Sequence, residues 1–277
     1  MIHIENLSFA YKKKAVFNGL NLQFETGHVY GLLGKNGTGK SSLLRNIAGL
    51  LQPKIGRITV NGHTPFDRLP IFLQDVFMVP EEFYLPDISV PDFIEHYAAF
   101  YPRFNHEKFR SYLGIFEIPA DSTLQNMSYG QKKKVLISFA LATGAKVLLM
   151  DEPTNGLDII SKSQFRKILA EALDDERCII VSTHQVKDLE NLIDRITIID
   201  EGKILFDENV EAITKKLAFR FAYDREEVAN AIYSESSLAG NVIVTENSGG
   251  EESKLDLELL YKAIVANSRQ ITKLFQS

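Results

Sequence analysis

The chain has 277 residues, 45% hydrophobic and 24% charged, and a formal net charge of −5. This suits one large globular core, or one core with a small appendage, and the acidic balance argues against general nucleic-acid binding. One cysteine, six scattered histidines and no apolar run near the roughly 18 residues of a membrane span exclude a disulfide framework, a zinc-type site and a spanning helix. Cys178, within Cys178-Ile179-Ile180-Val181, reads as a buried strand thiol, and the N-terminus lacks a signal-peptide core. The expectation is a soluble, cytoplasmic protein that deals with any membrane through a partner. The basic runs Lys12-Lys13-Lys14 and Lys132-Lys133-Lys134 read as solvated faces.

In chain order, residues 2–9 and 20–24 alternate apolar and polar, as antiparallel strands do. Val29–Leu33 is a short apolar strand, followed by Gly34-Lys35-Asn36-Gly37-Thr38-Gly39-Lys40-Ser41 and then by helical apolar spacing from Ser42 to Ala48. The loop fits G-x-x-x-x-G-K-[ST] in full, between the strand and the helix that this pattern requires. Such a turn aims backbone N–H groups at an anion, and the helix N-terminus adds a favourable dipole. Lys40 would reach the β- and γ-phosphates, and Ser41 would sit on Mg²⁺.

Residues 56–62 add a strand and turn. At Pro86 the composition shifts to apolar and aromatic residues at helical spacing, broken by Pro91, Pro102 and Pro119; this opens a helical insertion, about residues 86–145. A helix near 128–143, strand 146–150, helix 160–173, strand 177–182, a short helix near 185–192 and strands 195–199 and 203–206 follow. Strands apolar throughout imply a mostly parallel α/β sheet covered on both faces. Beyond residue 215 the pattern weakens: strands at 217–223 and 241–246, a helix near 225–233, an exposed loop at 249–253 and a final helix over 255–275 make a small α+β appendage, residues 216–277.

The strand Val147–Met150 runs into Asp151-Glu152, placing two carboxylates at a sheet edge where open α/β sheets bind ligands. Asp151 suits a water-mediated Mg²⁺ contact, and Glu152 is free to activate the attacking water. His184 ends another apolar strand on the same edge and could hydrogen-bond the γ-phosphate. Ser128 is a candidate N-cap that opens a second helix N-terminus, either a plainly capped helix or an anion site for nucleotide held by another copy.

In this ordered set, with the phosphate loop, Ser128-Tyr129-Gly130-Gln131, Asp151-Glu152, Gly156-Leu157-Asp158 and His184, about residues 1–210 resemble the nucleotide-binding subunit of an ABC (ATP-binding cassette) transporter, which implies an ATP-binding domain over 1–215. The resemblance implies a phosphate-loop NTPase fold and two subunits, identical or different, dimerised head to tail around ATP and Mg²⁺. Residues 34–42 (Gly34 through Ser42) would hold ATP, with Tyr11 stacked on adenine. Ser128, Tyr129, Gly130 and Gln131 would complete the partner's site in trans, and Asp158 would reach the opposite subunit. Glu152, His184 and Lys40 would be catalytic. Glu81, after the strand Val76–Val79 and Pro80, stands where the family most often has Gln, at the position that touches Mg²⁺ and senses the membrane partner; Gln74 is the other candidate. Met127 replaces the usual Leu, and Tyr129 the usual Gly. The resemblance to exporter-type ATPases implies a separately encoded permease that holds the protein at the inner face of the membrane. The alternative is a soluble ABC ATPase without a permease, such as a cofactor-assembly factor.

Overall fold

The computed structural model describes residues 1–185, 187, 192–237, 240–247, 249 and 253–276. The chain opens with β1 (Ile2–Tyr11), β2 (Lys14–Phe24), β3 (His28–Leu33), α1 (Lys40–Ile47) and β4 (Ile55–Val60). β1 pairs antiparallel with β2 on one side and β4 on the other. Ile2 and Ile4 are buried while His3 and Glu5 are exposed, so the alternation gives the sheet one wet face.

Next come α2 (Pro70–Asp75), β5 (Val76–Val79), α3 (Val90–Tyr97), α4 (His106–Ile115), α5 (Tyr129–Ala142), β6 (Val147–Asp151), α6 (Ile159–Ala172), β7 (Cys178–Thr183), β8 (Arg195–Asp200) and β9 (Lys203–Asn209). The main sheet has the order β5-β6-β7-β3-β8-β9, parallel except for the β8–β9 hairpin. β6 and β7 are buried at every residue, as strands covered on both faces must be. Tyr30 and Leu32 of β3 face α1 and the antiparallel sheet, while Val29 and Leu33 face α5 and α6. In the insertion, Phe139 of α5 sits between Phe77, Phe93 and Phe104, with ring centroids at 5.6, 5.2 and 5.0 Å; these edge and tilted contacts fasten the insertion to β5. Burial raises the Cys178 thiol to about 12, in keeping with a strand thiol of the core.

The tail comprises α7 (Val210–Lys216), β10 (Leu217–Ala222), α8 (Arg225–Ala229), β11 (Tyr233–Ser237), β12 (Gly240–Glu246) and α9 (Leu257–Phe275). Its antiparallel sheet runs β10-β12-β11, and Leu260 and Ile264 of α9 join the core on the α5 side of the main sheet. The expected helix near 225–233 stops at Ala229, and Tyr233–Ser237 is instead a strand held by β12. The α9 helix breaks at Asn267 (φ −134°), whose Nδ2 donates to the Ile232 carbonyl at 2.7 Å. The expected short helix near 185–192 lies largely outside the described residues, as do residues 250–252 of the expected loop.

Candidate nucleotide site

Four neighbouring parallel strands deliver their C-terminal ends to one edge. β3 runs into the loop 34–41, β6 ends at Asp151, β7 leads to His184 and β5 leads through Pro80 to Glu81. The register sets Asp151 beside Ser182 and Leu33 beside Thr183, so residues far apart in sequence become neighbours.

The loop closes on Gly39, at φ +112°, where an added Cβ would lie 2.6 Å from the Phe17 ring; only glycine fits this backbone. Gly39 is also the N-cap of α1 and supplies no side-chain acceptor, and no acid sits in the first turn. The N–H groups of Lys40, Ser41 and Ser42 are thus left for an anion. The buried Lys40 ammonium donates to the Gly34 and Lys35 carbonyls at 2.7 and 3.1 Å and lies 3.9 Å from Glu152 Oε1. Burial pushes its pKa below the ordinary lysine value, against the opposing pull of Glu152, Asp151 and Glu81.

Glu152 is buried and holds the left-handed backbone conformation at φ +46°, a strained choice for a non-glycine residue. Its Oε2 accepts from the Thr183 hydroxyl at 3.1 Å, and its Oε1 accepts from the His184 backbone N–H at 3.0 Å, with His184 Nδ1 at 2.8 Å. Asp151 Oδ1 accepts from Ser182 at 2.5 Å, while its Oδ2 is buried with no hydrogen-bond partner. An orphaned buried carboxylate oxygen fits the approach of a hydrated cation. Among the described residues no cluster of three or more His, Cys, Asp or Glu could hold a metal alone; phosphate oxygens would have to share it.

A pocket of about 540 Å³ is lined by Tyr11, residues 36–42, Glu81 and Glu152. Tyr11 stands edge-on to Phe9 and its hydroxyl lies 3.3 Å from Ser42 Oγ. Glu81 faces this pocket, whereas Gln74, on α2, lines a groove elsewhere. Ser128, Tyr129, Gly130, Gln131 and Asp158 do not line the pocket in one copy. Ser128 and Gln131 close a capping box: the Ser128 hydroxyl accepts from the Gln131 N–H at 3.2 Å, and the Gln131 side chain accepts from the Ser128 N–H at 2.9 Å. Asp158 caps α6 by accepting from the Ser161 N–H at 2.8 Å, which holds its pKa down.

Three polar side chains around this edge escaped sequence reasoning. Lys133 does not belong to a solvated basic face: it is wholly buried, donating to the Glu152 and Asn155 carbonyls at 2.8 and 3.3 Å. Burial lowers its pKa, opposed by the acids at 81, 152 and 151. Asn155 donates to Glu81 Oε1 at 3.0 Å and accepts from Gln185 at 3.1 Å. The signal available for Lys133 was its place in α5, a helix apolar on nearly every side from Val135 onward. Lys133→Met should lower folding stability by about 1–3 kcal/mol in urea titration, since the Glu152 and Asn155 carbonyls both lose the ammonium donor.

A second cavity, of about 480 Å³, lies between Gly34–Lys35, His184–Gln185 and the tail, where it is walled by Glu258 and Tyr261. Lys187 bridges to Glu258 at 2.8 Å. The Tyr261 hydroxyl is buried near the Lys35 backbone without a hydrogen bond of full geometry; burial raises its pKa, Asp200 adds to the rise and the Lys35 backbone opposes it.

The family model described as ABC transporter matches residues 17–155, half of the chain. This chain belongs to the ABC transporter family. Within it, the chain is an ATP-binding, ATP-hydrolysing subunit. It is 30% identical to the SkfA peptide export ATP-binding protein SkfE of Bacillus subtilis, over 79% of this chain and 94% of that protein. It is 32% identical to the methionine import ATP-binding protein MetN of Carboxydothermus hydrogenoformans, over 74% of this chain and 65% of that one. The solved structure of cbiO1 from Clostridium perfringens, part of the ABC transporter complex cbiONQ, superposes with a TM-score of 0.63 at 27% identity, over 75% of this chain and 88% of cbiO1. No helix among the described residues is long and apolar enough to cross a membrane.

Proposed function

We propose that this ABC subunit drives a separately encoded membrane permease, as an exporter, by binding and hydrolysing ATP between two copies or between itself and a related subunit. The observation that carries the reading is the Glu152 carboxylate, fixed by Thr183 and His184 and 3.9 Å from Lys40. Glu152 accepts the proton of the attacking water, and His184, hydrogen-bonded to Glu152, would reach the γ-phosphate. Lys40 and the N–H groups opening α1 neutralise phosphate charge. Ser41 and Asp151, with Glu81 beside them, would hold Mg²⁺, which supplies charge neutralisation on the phosphates. Tyr11 offers its ring to the adenine. The first turn of α5, from Ser128 to Gln131, and Asp158 serve the other copy's nucleotide. Residues 1–215 form the working cassette in this reading, with 216–277 as the appendage.

A groove of about 650 Å³ between α2, residues 84–86 and the α3 region supports docking to a permease. Tyr84 and Phe100 on its rim are 80% and 66% exposed, whereas Phe93 and Phe109 are consumed by the insertion's own core. Large exposed aromatics beside a groove mark contact surfaces. The export reading rests on the resemblance to exporter-type ATPases, since the relatives include both export and import proteins. The test is purification from detergent-solubilised membranes of the source cells: a polytopic protein should accompany the wild-type chain, and Tyr84→Ala should weaken that association at least fivefold with ATP affinity unchanged. A purely soluble complex overturns the permease assignment.

A further inference from the structure

The segment after β5 has no regular structure: residues 80–87 belong to no helix or strand, and Glu81 and Glu82 are exposed. A stretch of this kind has no backbone ladder to fix it, so its position rests on side-chain contacts. Three contacts converge on residues 81–83. The Tyr129 hydroxyl donates to the Glu81 carbonyl oxygen. The Tyr129 ring packs on Phe83 at a centroid distance of 5.0 Å. Asn155 Nδ2 donates to the Glu81 carboxylate at 3.0 Å.

Tyr129 is half exposed, with neighbours along the rest of its ring. Gly156 leaves it room, since a Cβ there would stand 3.2 Å from the ring, and the Lys133 ammonium lies 5.7 Å from the ring centroid. Lys133 in turn holds the carbonyls of Glu152 and Asn155. The first turn of α5, the turn after β6 and the Glu81 segment are thereby fastened together within one copy. The Glu81 carboxylate reaches the nucleotide pocket, where it stands with Glu152 and Lys40.

We propose that Tyr129 is a positioning residue that straps the Glu81 segment to helix α5 and so holds the Glu81 carboxylate at the pocket for the nucleotide-bound divalent cation. This rests on the reading of the pocket as the ATP–Mg²⁺ site. A glycine at position 129 has no side chain with which to make the strap. Glu81 offers a carboxylate, and a carboxylate contributes to cation affinity only where it is held. The strap therefore acts on metal affinity through Glu81, not on phosphate contacts directly.

Tyr129→Phe removes the hydroxyl and keeps the ring, so folding should survive. Amide hydrogen exchange of the nucleotide-free protein should then rise about five- to tenfold across residues 81–85. Titration of Mg²⁺ into protein saturated with a non-hydrolysable ATP analogue should show roughly fivefold weaker cation binding. In a Glu81→Ala background, Tyr129→Phe should change cation affinity no further. Unchanged cation affinity in Tyr129→Phe overturns the inference, whether or not exchange rises. An equal loss in the Glu81→Ala background overturns it too, because Tyr129 would then act without Glu81. Absence of any Mg²⁺ uptake by the wild-type protein with the analogue overturns the nucleotide-site reading itself, and this inference with it.

Discussion

Glu152→Gln protein should bind ATP as tightly as wild type and turn it over about 10²–10⁴ times more slowly, the usual contribution of a positioned general base. The substitution is nearly isosteric. It preserves one oxygen to accept from Thr183 or His184 and removes the basicity. Its buried position and left-handed backbone argue that the scaffold around it is committed to holding a carboxylate there. With turnover stopped, ATP enclosed between two copies as proposed would leave only by dissociation, so size-exclusion chromatography with light scattering should find a nucleotide-dependent dimer. Hydrolysis at the wild-type rate would assign the base elsewhere.

Lys40→Ala should weaken ATP binding by about 30- to several-thousand-fold, equivalent to roughly 2–5 kcal/mol for the loss of one partner from a buried charged pair. Without nucleotide the ammonium is held by the Gly34 and Lys35 carbonyls, and its charge is disfavoured by burial. A triphosphate gives this buried ammonium direct anionic partners in place of neutral carbonyls, which is why the loss should be large. Calorimetric titration with ATP is the direct measurement. Affinity within threefold of wild type would remove Lys40 from the phosphate site.

The phosphate loop, the acids after β6 and the histidine after β7 were legible because each is a contiguous motif at a strand end, and the strands are apolar throughout. The antiparallel start of the chain was legible for the complementary reason, an alternation broken only around Glu5 and Asn6, where the register shifts. β11 was not: Tyr233-Ser234-Glu235-Ser236-Ser237 is mostly polar and exists as a strand because β12 pairs with it, a tertiary cause that local propensity does not register. Helix α7 left a usable trace in the Asn209 cap and the Glu211–Lys215 spacing, but seven residues give too little periodicity to stand out. Lys133 was misread because a three-lysine run looks solvated, and only the fold reveals the two carbonyls awaiting its ammonium. The Tyr129–Glu81 contact joins residues 48 apart in sequence, beyond the reach of any motif.

The cavity between the tail helix and the phosphate loop has a thermodynamic corollary. Glu258 and Tyr261 of α9 share walls with Gly34, Lys35 and His184, so a nucleotide that shifts those three residues would also change the fit of the last helix. Coupling of this sort is reciprocal: whatever fraction of its docking energy the tail lends to a ligand, the ligand returns as resistance of the tail to peeling away. The Lys187–Glu258 bridge is an exposed pair, so salt screening would tune that exchange.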